Sequence, residues 1–120
     1  MTQAANHLLD EIRGFKNLNE GWNSHKAARI SEMAIKSALE VVHALDRRHV
    51  PLPSAAPTPL GRVMLMWEIG DKELQLLIDA HEFDYSVGNT RDPNVIEEGS
   101  FSSIDAVERK FIDRFLVLPA

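Results

Sequence analysis

The sequence predicts an α+β fold: a small antiparallel β-meander of three to four strands, packed against two N-terminal helices and one C-terminal helix. Three observations lead there. From Gly61 to Val87 a two-residue alternation continues through successive segments separated by turn residues. Segments with helical apolar periodicity stand on both sides of that stretch. The length of 120 residues and a hydrophobic content of 44% suit one compact unit, so residues 1–120 are read as a single domain with one core.

The first helix is expected from Thr2 or Gln3 to Phe15, where Leu8, Leu9, Ile12 and Phe15 form an apolar stripe and Asp10, Glu11 and Arg13 face water. A turn-rich segment follows from Asn17 to Lys26. It contains Trp22, and a large aromatic in such a loop is usually pinned to the core. Ser31 suits the N-cap of the second helix, with Glu32 favourable at the positive end of its dipole. Ile35, Ala38, Leu39, Val42 and Leu45 supply its core face. The helix is expected to stop near Arg47-Arg48-His49, because Pro51 cannot continue it and biases Val50 towards extended backbone.

The proline-rich stretch Pro51–Pro59 is expected to run extended from helix to sheet without regular pairing. Val63, Leu65 and Trp67 then share one face of the first meander strand, with Arg62, Met64, Met66 and Glu68 on the other. Gly70-Asp71-Lys72 turns the chain into a strand where Leu74, Leu76 and Ile78 alternate with Glu73, Gln75 and Leu77. A third strand sets Phe83, Tyr85 and Val87 against Glu82, Asp84 and Ser86. Gly88 to Asn94 reads as a turn-rich loop, and Val95-Ile96-Glu97-Glu98 as a short fourth strand. Ser102 or Ser103 caps a final helix through about Leu116, with Ile104, Val107, Phe111, Ile112 and Phe115 inward.

Charge and composition restrict the function classes. A net charge of -5 disfavours direct nucleic-acid binding, which needs clustered Lys and Arg. Without cysteine there is no disulfide framework, thiol nucleophile or Cys-ligated zinc. The N-terminus lacks a signal-peptide pattern and no apolar run reaches the length of a membrane span, so a cytoplasmic protein is expected. His7, His25, His43, His49 and His81 include no pair at i, i+4, and neither metal nor cofactor is expected. Nucleophile-elbow, phosphate-loop and dinucleotide motifs are absent too, which favours a non-enzymatic role.

Two sets of residues remain as candidate sites. Met64, Met66 and Leu77 make the second sheet face more apolar than a solvated surface requires, and Glu82 and Asp84 add acids to it. These five residues are the predicted partner-binding set. They suit a protein partner with a basic surface, or self-association into a homodimer through the same patch or a free strand edge. The alternative is a small-molecule site or active site around Trp22, where Glu20, Asn23 and His25 bring a carboxylate, an amide and an imidazole next to an indole. Local hydrogen bonding by turn residues accounts for that mixture as well.

The loop Gly21-Trp22-Asn23-Ser24-His25-Lys26-Ala27 and the stretch Pro57-Thr58-Pro59-Leu60-Gly61-Arg62-Val63-Met64-Leu65-Met66-Trp67 also carry a resemblance. They resemble a group of small, mostly uncharacterised bacterial proteins that pair a tryptophan loop, G-W-[DN]-x-x-x-A, with a long helix, a proline-rich crossing and a G-x-x-x-L-x-W strand. Asn23, Ser24 and His25 stand where that group usually has an acid, a glycine and a tyrosine. The resemblance implies a shared fold and brings no established activity. Small acidic proteins of this kind are often antitoxins, immunity proteins or inhibitors, which associates the chain with blocking a partner protein.

Overall fold

A computed structural model describes residues 2–117. Helix α1 spans Gln3–Gly14 and closes with a single 3-10 turn over Phe15–Asn17. Helix α2 spans Glu32–Arg47. Five strands follow, β1 Ser54–Pro57, β2 Val63–Ile69, β3 Lys72–Asp79, β4 Glu82–Asn89 and β5 Asp92–Phe101. The chain ends in α3, Ile104–Val107, which continues directly into a wider π-helix over Glu108–Leu116. The sheet is an antiparallel meander in the order β1-β2-β3-β4-β5.

Caps and periodicity explain the helices. The Thr2 hydroxyl accepts from the Ala5 amide at 3.1 Å and the Ser31 hydroxyl from the Ala34 amide at 3.3 Å, so each satisfies a free donor of a first turn. Ala5, Leu8, Leu9 and Ile12 of α1 are buried, as are Ile35, Ala38, Val41, Val42 and Leu45 of α2. They meet Val63, Leu65, Trp67, Leu74, Leu76, Ile78, Phe83 and Val87 from one face of the sheet in one continuous core. Buried Ser37 donates to the Ala80 carbonyl at 2.5 Å and so ties α2 to the β3–β4 turn.

The C-terminal helix is wider than expected, and its sequence supplies a reason. Its buried residues are Val107, Phe111, Ile112 and Leu116. At about 100° per residue the α pitch would spread them around half the helix. A π pitch, with i to i+5 bonds and roughly 80° per residue, gathers them into one stripe. The last turn closes in this way, the Val117 amide donating to the Ile112 carbonyl at 3.1 Å. Leu116 is therefore fully buried, while Phe115 and Ile104, both expected inward, are half-buried at the margin.

Two other expectations are corrected. The proline-rich crossing does pair: Ser54, Ala55, Ala56 and Pro57 stand opposite Met66, Leu65, Met64 and Val63. Pro57 is tolerated because β1 is an edge strand. Gly88 to Asn94 is not a loop, since β4 reaches Asn89 and β5 begins at Asp92. Only Thr90 and Arg91 lie between, and the Asn89 side chain accepts from the Arg91 amide at 2.8 Å. The sheet thus has five strands rather than three or four.

Candidate functional site: the open face of the sheet

The core packs on one face of the sheet, and the opposite face is left to solvent. Along each strand the residues between the core positions point to this open face. The register brings them into rows. One row reads Ala56, Met64, Leu77, Asp84 and Ser100; its neighbour reads Ser54, Met66, Gln75, Ser86 and Glu98. Met64, Met66 and Leu77 therefore form one cluster, and each is half-buried by its neighbours. Asp84 adjoins Leu77 in the same row, and Glu82 lies further out on β4. The predicted partner-binding residues share one surface.

This surface is strongly acidic. Strand alternation places Glu68, Glu73, Asp79, Glu82, Asp84 and Glu98 on it, Asp92 adjoins its edge, and Arg62 is the one cation at these strand positions among the described residues, bridged to Asp79 at 3.5 Å. The six carboxylates on the face and the one guanidinium carry a balance of -5. Two acid pairs are also directly opposed across strands, Glu68 with Glu73 and Asp79 with Glu82. Such pairs repel, and the first has no salt-bridge partner among the described residues.

Between β3 and β5 the open face is concave. A depression of about 460 Å³ is lined by Gln75, Leu77, Asp84, Ser86, Glu98 and Ser100. Ser100 donates to one carboxylate oxygen of Asp84 at 2.7 Å, which fixes that side chain. Sequence reasoning missed Gln75, Ser86, Glu98 and Ser100, because only the β3–β4 and β4–β5 registers together show them to be neighbours.

On the covered face the acid Glu97 is fully partnered. Tyr85 donates to it at 2.5 Å, and Arg114 grips both carboxylate oxygens at 2.5 and 2.6 Å. The Tyr85 hydroxyl, followed by the Arg114 guanidinium, holds the Glu97 carboxyl below its ordinary range, and the same bond to Glu97 pushes the Tyr85 phenol up. Tyr85 also stacks on Phe101, and a β-carbon at Gly99 would strike its ring. Arg114 lies over Phe115, 4.7 Å from the ring centre. This cluster fastens the C-terminal helix to the β4–β5 end of the sheet.

Around Trp22 the polar atoms are engaged locally. The indole donates to the Ala28 carbonyl at 2.9 Å while its ring packs half-buried against the core. The Asn23 side chain accepts from the His25 amide at 2.9 Å, and Glu20 and His25 are exposed. Among the described residues no side-chain hydrogen bond joins Glu20, Asn23 and His25. Beside this loop Gly61, at φ +82°, passes so close that a β-carbon would lie 2.6 Å from the Arg29 carbonyl oxygen.

Among the described residues no group of three or more His, Asp or Glu side chains is placed to hold a metal ion. No described helix is long and apolar enough to cross a membrane. Comparison with family models, curated proteins and solved structures finds no match to the chain.

Proposed function

We infer that the protein is a non-enzymatic binding module that occupies a partner protein through the open sheet face, in the manner of an inhibitor, antitoxin or immunity protein. One observation carries the reading: six carboxylates surround the half-buried cluster of Met64, Met66 and Leu77 on the face that the helices leave bare. Apolar anchors inside a polar rim are the usual composition of a protein interface, and methionine adapts to irregular partner shapes. The acidic field selects a partner with a basic surface and accelerates its encounter. Opposed acids such as Glu68 and Glu73 cost stability in the free protein, and cationic groups from a partner would relieve them.

The test is capture from native cell extract by the wild-type protein and by a Met64→Asp, Met66→Asp double variant, with circular dichroism confirming that both are folded. A basic protein held by the wild type, lost by the folded variant and able to bind directly after purification is the expected result. If the folded variant holds the same proteins as the wild type, the open face is not the binding surface and the reading falls.

A further inference from the structure

We propose that the depression between β3 and β5 receives an arginine side chain from the basic partner, as the anchor of the complex. The proposal rests on the binding-module reading and specifies what the partner must present. Leu77 gives the depression an apolar wall next to the methionine cluster, suited to the methylene stem of a long side chain. Asp84 and Glu98 supply two carboxylates, and Gln75 and Ser86 add side-chain oxygen acceptors. Asp84 is already oriented by Ser100 through one oxygen, and its other oxygen has no hydrogen-bond partner among the described residues. Little side-chain ordering is then left to do on binding.

Arginine fits this lining better than lysine does. A guanidinium presents five donors in a rigid fork and pairs with carboxylates two bonds at a time, whereas an ammonium is a compact, strongly hydrated point charge with three donors. A depression of about 460 Å³ is roomy for one side chain, which leaves space for bridging water around the head group. A second copy of this chain is a poor occupant, because face-to-face contact would bring two surfaces of charge -5 together. Arginine is also among the residues that most often dominate interface energetics.

The probes are a hexa-arginine and a hexa-lysine peptide, titrated into the isotope-labelled full chain and followed by NMR. Hexa-arginine is expected to shift the side-chain amide of Gln75 and the backbone amides of Asp84 and Glu98, leaving the helices unmoved. Asp84→Asn should weaken it about tenfold, the scale of one hydrogen bond to a charged group. Glu82→Gln removes the same charge from the same face outside the depression and should cost less than about threefold. Glu98→Gln, at an exposed position, gives a second reading should Asp84→Asn disturb the fold.

Equal losses for Asp84→Asn and Glu82→Gln, or equal affinities for the two peptides, would mean that only the diffuse field acts, and would overturn the proposal. The binding-module reading fails separately. A captured partner that is lost with Met64→Asp, Met66→Asp but kept by both Asp84→Asn and Glu98→Gln leaves that reading standing and removes the arginine anchor alone.

Discussion

Leu76 and Leu77 are chain neighbours with opposite surroundings, and they summarise the two faces of the sheet. Leu76 has no exposed surface and is enclosed by the helices, whereas Leu77 sits half-buried among Met64, Asp84 and open solvent. The same residue type therefore serves the core on one side and, under the proposed function, the binding surface on the other. Leu76→Ala is expected to cost about 2–5 kcal/mol, from lost transfer energy plus the cavity left behind. Leu77→Ala should cost less than about 1 kcal/mol, because its surroundings include water already. Denaturant unfolding of both variants measures the contrast, and equal losses would mean that the two faces are not as different as their burial indicates.

The acids divide in the same way. Glu97, on the covered side, has two protein partners, while Glu68 and Glu73 have each other. Because the Glu97 carboxyl is held below its unfolded value, its contribution to stability is present above the ordinary carboxylate pKa near 4.3 and is lost as pH falls through the lowered folded value. Glu97→Gln should flatten the acid side of the stability profile. Tyr85 works in the opposite sense: its raised pKa gives a contribution present below pH about 10 and lost as pH rises through the folded value. An acid limb unchanged by Glu97→Gln would show that the clamp on the C-terminal helix is energetically idle.

How much of this was legible in the sequence follows from which signals are local. The extent of helix α2 was readable, because Ser31, the apolar spacing and Pro51 all act within a turn of themselves, although Leu39, expected inward, is half-buried and Met33, expected to widen the core face, is exposed. The two faces of β2 to β4 were readable from alternation, and so was the Met64, Met66 and Leu77 cluster. The pairing of β1 was hidden because proline normally argues against a strand, and only the position of Pro57 at a sheet edge permits it. The length of β5 was hidden because Asp92, Pro93 and Asn94 carry turn chemistry, yet the turn itself needs only Thr90 and Arg91. The 4, 1, 4 spacing of Val107, Phe111, Ile112 and Leu116 was in view, but an α pitch is the ordinary assumption. The depression was out of reach, since its members come from three strands and meet only through the register.

The smallest expected effect bears most directly on why the open face is built as it is. Glu68 and Glu73 stand directly opposite one another at one end of the meander, where a polar pair or an ion pair would serve folding better. A surface shaped for stability alone would not concentrate six carboxylates beside an apolar cluster. Replacing both acids by glutamine keeps their size and hydrogen-bonding reach, so the change in unfolding free energy isolates the repulsion. A gain of about 0.2–1 kcal/mol is expected at low salt, shrinking as ionic strength shortens the range of the interaction. The same variant should associate more slowly with a basic partner, because it has lost part of the steering field. A free protein that becomes more stable while its encounter rate falls is the signature of charge retained for recognition. Stability that falls on neutralisation would instead place Glu68 and Glu73 among the groups that hold the fold, and the two faces would then differ in hydration alone.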